Sequence, residues 1–141
     1  MGLKVKPVFF NTEKQSARNI LQSIRDALSD RVELLEEALI NQWEDFSQLQ
    51  QNLEEVGALL ELSEDVRRAP LRLLLRLGDL GPPVILLGKE FAPGPRRLEA
   101  AGYLKTRGSS VAVPLTLEDL KQRLSVLSAK ERIAAMHAVL V

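Results

Sequence analysis

The chain has 141 residues, 19 Lys and Arg balanced by 19 Asp and Glu, one His and no Cys. A chain of this length can bury roughly 70% of the surface its unfolded form exposes, so one domain needs no metal or disulfide staple. The lack of thiols excludes a disulfide framework, a thiolate metal site and a cysteine nucleophile, and fits a cytoplasmic setting.

Leucine, with 27 copies against six aromatic residues, dominates the apolar material and favours helix. The opening MGLKVKPVFF carries too short an apolar run for a signal peptide. The uncharged stretch Leu80–Gly88 has nine residues, where a membrane span needs about 20. A soluble chain is therefore expected. Charge is unevenly spread: residues 1–64 carry 6 basic and 12 acidic side chains, and residues 65–141 carry 13 and 7. Either two faces meet different surroundings, or the halves complement one another inside one fold.

In chain order, residues 3–10 read as a short edge strand, because Pro7 offers no ladder donor. Thr12 is the expected N-cap of an amphipathic helix carrying Ala17, Ile20, Leu21, Ile24, Ala27 and Leu28 at helical spacing. Asp30 is the next cap. Beyond it Val32, Leu35, Leu39, Trp43, Phe46, Leu49, Leu53, Val56 and Leu60 step by three or four. That spacing predicts a helix of about 26 residues, roughly 39 Å long, and with it a helical hairpin.

Ser63, Glu64 and Asp65 form a helix start, and Pro70 belongs in the first turn of a helix with Leu71, Leu74, Leu75 and Leu77. Gly78 and Gly81-Pro82-Pro83 stop it. Val84–Leu87 reads as a buried strand or one turn of buried helix, and Arg96–Tyr103 as a short helix. Lys105–Thr116 reads as a strand pair turning at Gly108-Ser109-Ser110. Thr116 with Asp119, and Ser128 with Glu131, match the reciprocal capping pattern, predicting helices over 117–127 and 129–140.

Residues for chemistry are scarce. His137 shares a face with Ile133, Met136 and Leu140, and no second imidazole or thiol is present to build a triad or metal site. Glu33, Glu36, Glu37, Glu44 and Glu54 read as solvated helix surface. Leu87-Gly88-Lys89-Glu90 lacks the spaced upstream glycine and the Ser or Thr after Lys that a phosphate-binding loop requires. The sequence therefore predicts a protein that is not an enzyme, with no catalytic, cofactor-binding or metal-ligating residue.

Residues 67–116 resemble a winged-helix repressor domain, through RRAPLRLLLRL, then RRLEAAGYL, then the basic KTRG and the closing VAVPLT. The pattern departs from that family between Gly78 and Arg96, where the 17 intervening residues hold Pro82, Pro83, Pro93 and Pro95 and leave no room for a full recognition helix. The fold this implies is mainly α (α+β): an N-terminal helical hairpin in an acidic half, residues 1–62, packed on a degenerate winged-helix-like unit with a small β-hairpin in a basic half, residues 63–141. Size and a Leu/Arg/Glu-rich, Cys-free composition are also similar to small inhibitors of bacterial RNA polymerase from thermophilic bacteriophages. That resemblance implies a regulator that binds the polymerase or its σ factor in the host cytoplasm. The expected function is thus a non-catalytic regulatory protein docking on a larger machine, with Arg96, Arg97, Tyr103, Lys105 and Arg107 as candidate partner-binding residues. A winged-helix DNA-binding repressor and a structural helical subunit are the alternatives.

Overall fold

Six short apolar segments form one all-parallel sheet in the computed structural model, which describes residues 2–28, 32–64 and 71–140, excluding the side chains of 138–140. Asp30, Asp65 and residues 67–70, which hold the proposed cap and helix start, lie outside the described residues. The strands are Leu3–Phe10 (β1), Val32–Leu34 (β2), Ala38–Ile40 (β3), Ala58–Glu61 (β4), Val84–Leu86 (β5) and Val111–Ala112 (β6). The helices are Lys14–Arg25 (α1), Trp43–Gln51 (α2), Leu71–Gly78 (α3), Gly94–Thr106 (α4) and Leu117–Leu140 (α5).

The strands run in the order β2-β1-β4-β5-β6, with β3 also on β1, beyond β2 on the same side. Counting β2 and β3 as one interrupted strand, the order is 2-1-3-4-5, that of flavodoxin-like doubly wound sheets. Both faces are covered. Leu3, Val5 and Phe9 of β1 pack with α1 and with Leu120, Leu124 and Leu127 of α5. Val8 and Phe10 point the other way, towards Phe46 of α2, Leu74 and Leu77 of α3, and Ala100 and Leu104 of α4.

β1 is an interior strand, and this corrects the edge expected from Pro7. The Gly57 and Leu62 amides donate to the Lys4 and Val8 carbonyls, so even-numbered residues of β1 bond towards β4. Odd-numbered residues bond the other way, as the Leu35 amide does to the Val5 carbonyl. Pro7 therefore turns its missing donor towards the side where β2 pairs residues 3–5 and β3 pairs residues 8–10, leaving a gap opposite it. The break in the neighbouring strand accommodates the absent N–H.

The mainly α fold, the helical hairpin and the winged-helix-like unit are all overturned by this sheet. The stretch predicted as one helix from Val32 to Leu60 holds β2, β3, α2 and β4. β4 is buried on both faces and loses the alternation that marks a half-exposed strand, while β2 and β3 are too short to show it, so their apolar residues mimic helical steps. The helix inside this stretch begins where the Asp45 carboxylate accepts from the Asn41 and Gln42 amides, at 2.9 and 3.1 Å, closing a cap.

The proposed wing also dissolves. Lys105 and Thr106 finish α4, and the Gly108 and Ser109 amides donate back to the Lys105 and Leu104 carbonyls. Gly108-Ser109-Ser110 is thus a helix exit, and Val111-Ala112 pairs parallel to β5 instead of folding into a hairpin. Thr12 does not cap α1; its hydroxyl donates to the Phe10 carbonyl, and Glu13 holds the cap position. The two expected C-terminal helices are one, running through Ser128, although Thr116 does accept from the Asp119 amide at 3.1 Å at its start. The amphipathic helix after Glu13, the helix at 71–78 and the buried strand at 84–86 form as expected. Each half of the chain contributes strands to the same sheet, so the charge division does not separate two bodies.

Candidate functional site

In an open α/β sheet, ligands bind beyond the carboxyl ends of the strands, where the order of the strands reverses. Here that point lies between β1 and β4. The chain leaves β1 for α1 on one face and leaves β4 for α3 on the other. The residues that emerge there are Phe10 to Thr12 from β1 and Glu61 to Glu64 from β4.

A buried polar cluster fills this crevice. Glu61 and Arg97 are 0% and 1% exposed, and Thr12 and Ser63 are buried beside them. The Arg97 guanidinium lies as a fork on the Glu61 carboxylate, Nε donating to Oε1 and Nη2 to Oε2, the latter at 3.0 Å. Nη2 also donates to the Ser63 carbonyl and Nη1 to the Pro93 carbonyl, both at 3.0 Å. Two parallel N–H···O bonds match the geometry that makes arginine–carboxylate pairs both strong and directional.

The remaining groups close the network. The Ser63 amide donates to Glu61 Oε2 at 2.8 Å, and Ser63 Oγ accepts from the Phe10 amide at 2.7 Å. The Glu61 carbonyl accepts from both the Leu87 and Gly88 amides at 3.0 Å. Among the described residues, no buried side-chain nitrogen or oxygen lacks a partner. This matters because an unpaired buried charge costs far more than a paired one returns.

The backbone is shaped around the arginine. Gly88 sits at φ +68°, and a Cβ there would lie 2.8 Å from Arg97 Nη1 and 2.9 Å from its Cζ. Only glycine serves both the conformation and the close approach. Gly88, in the segment that lacks the phosphate-loop pattern, therefore makes room for an internal guanidinium. Glu90 and Phe91 follow at φ +55° and +58°, a strained pair that leads the chain into α4.

What the arrangement does chemically is to tie the first turn of α4 to the end of β4. Both oxygens of Glu61 are already engaged, so the carboxylate has no lone oxygen turned towards a substrate. Beside the cluster, a cleft of about 530 Å³ opens between α1 and the start of α5, lined by Asn19, Ser23, Glu64, Lys89, Phe91 and Leu117 among others. Among the described residues no three His, Cys, Asp or Glu side chains stand close enough to hold a metal ion.

No protein-family model matches the chain, and no curated protein matches it. The functional reading consequently rests on geometry.

The five candidate partner-binding residues all fall on or just after α4, and the fold separates them. Arg96, Tyr103, Lys105 and Arg107 are exposed, Arg107 donating to the Asp79 carboxylate at 2.7 Å. Arg97 faces inward and is spent on Glu61. Of the other cluster members, the sequence assigns Thr12 and Ser63 to helix caps and gives Glu61 no role. The signal of the Glu61–Arg97 pair was a single glutamate inside the run Ala58-Leu59-Leu60-Glu61-Leu62, and an arginine in helical step with Ala100, Ala101 and Leu104. His137 is on the surface, and no helix among the described residues is long and apolar enough to cross a membrane.

Proposed function

We propose that this chain is a non-catalytic regulatory module that works by docking on a larger protein assembly. The observation that carries the reading is the occupancy of the switch point. Where doubly wound sheets place a ligand, this one places its own arginine in a satisfied, solvent-excluded pair. A side chain so held is not displaced cheaply, because removing one partner strands the other charge.

Exposed apolar residues support the same reading from outside. Trp43, Leu98, Tyr103, Leu115, Ile133 and Met136 are each more than half exposed, and large aromatic and aliphatic side chains anchor protein interfaces. The similarity in size and composition to polymerase inhibitors supplies the first assembly to test. Immobilised chain incubated with bacterial RNA polymerase holoenzyme is expected to retain polymerase subunits or σ factor through stepped salt washes. Retention of nucleic acid alone, lost steeply as salt rises, or of neither, overturns the reading.

A further inference from the structure

Helix α5 has two apolar stripes, and the sheet covers only one. Leu120, Leu124 and Leu127 are buried against β1 and its neighbours. Val126, Ile133 and Met136 face away and are 42%, 56% and 63% exposed. With Ala129 they are spaced three, four and three residues apart, which is the a/d spacing of a heptad.

The helix also outlasts the body that it packs on. Leu117 lies by the carboxyl ends of the strands, next to Gly88 and Lys89. Glu131 has already reached the amino ends, where a Cβ on Gly57 would come within 2.7 Å of its carboxylate. The 24 residues of α5 span about 36 Å, whereas the eight of β1 span about 26 Å. Residues 130–137 are accordingly exposed all round. At its upper end the outer stripe enters a groove of about 450 Å³ between α5 and the β6 edge, lined by Val126 on one side and Ala112, Val113 and Pro114 on the other.

Charge identifies the occupant. The positions flanking the stripe, e and g of the heptad, hold Arg123, Lys130 and His137 on one side and Ser125 and Arg132 on the other. Lys105 adds a further cation to the groove wall, and Asp119 at its head is the acidic residue lining it. Glu131 sits on the opposite side of the helix, against Gly57. A second copy of this chain would set basic flanks against basic flanks in either orientation, and such like-charge pairing at e and g positions is destabilising. An acidic flank would be drawn to the same surface. We propose that the outer stripe of α5, from the β6 groove to Met136, is the docking surface for an acidic amphipathic helix of a partner protein. The inference rests on the docking function proposed above and specifies its partner.

The test uses the full chain and a labelled three-heptad peptide with Leu at a and d and Glu at e and g, its twin carrying Lys at e and g. Fluorescence anisotropy is expected to show binding of the Glu peptide at least about tenfold tighter than the Lys peptide, a difference of about 1.4 kcal/mol. The double variant K130E/R132E is expected to reverse that preference. Ile133→Asp and Met136→Asp should abolish binding with no change in the melting curve, since neither side chain is in the core. Equal binding of both peptides, binding of neither, or preference for duplex DNA overturns the proposal. So does a wild-type dimer in light scattering that Ile133→Asp converts to monomer. If Ile133→Asp still retains RNA polymerase as the wild type does, docking stands and this surface is not where it happens.

Discussion

Arg97 and Arg132 are the same residue type in opposite situations. At the carboxyl end of the sheet, a guanidinium is excluded from water, bound by a carboxylate and two carbonyls, and enclosed by a glycine shaped to receive it. On the distal half of α5, the guanidinium stands in solvent beside exposed Ile133 and Met136. At the first, the Glu61–Arg97 cluster spends its polar groups on itself and ties α4 to β4. At the second, residues 130–137 are exposed, and it is this surface that is proposed to meet another molecule. Position in a helix does not separate the two; what lies opposite does.

The largest effect should come from breaking the closed end. Arg97→Met is expected to cost about 3–5 kcal/mol in urea unfolding, because it leaves a buried carboxylate uncompensated. Removing both charges in the pair Glu61→Leu and Arg97→Met should recover most of that loss, which distinguishes the stranded charge from mere loss of packing. Leu124→Ala, on the covered stripe of α5, should cost about 2–5 kcal/mol by the same assay.

Gly88→Ala comes next, at about 1–3 kcal/mol, from positive φ and the approach to Arg97 together. Its loss should shrink once Arg97 is Met, since the shorter head no longer meets the new Cβ; an undiminished loss would assign the whole effect to the backbone. Smallest of all, Met136→Ala should stay within about 0.5 kcal/mol of wild type. A large loss there would show that the distal helix is bound within the fold, and would erase the contrast between the two ends.

Long amphipathic segments were legible from the sequence: α1 and α3 show their buried faces in the spacing of Ala17, Ile20 and Leu21 and of Leu74 and Leu77. Val84–Leu86 was legible as a buried segment, because turn residues bound it on both sides. The region from Val32 to Leu60 was not. The three-residue β2 and β3 are too short to show a period of two, β4 is buried on both faces, and their apolar residues fall by chance into helical steps. The wing was misread for a related reason. Gly108-Ser109-Ser110 serves a helix exit as well as a hairpin, and only the pairing of Val111 with Val84 decides between them. The Glu61–Arg97 pair joins residues 36 positions apart, and no local pattern announces such a meeting. Its trace was an arginine at a position that helical spacing assigns to an apolar face.

The interrupted strand opposite Pro7 bears on how this molecule avoids unwanted company. One margin of the sheet is split into two three-residue pieces, and the other is the two-residue β6. Neither offers a run of free amides and carbonyls long enough to template another chain, which is how native sheets resist edge-to-edge aggregation. A molecule with blunted margins is poorly suited to recruiting an extended peptide by strand addition. The blunted margins thus agree with the helical partner proposed for α5 and disfavour an extended one.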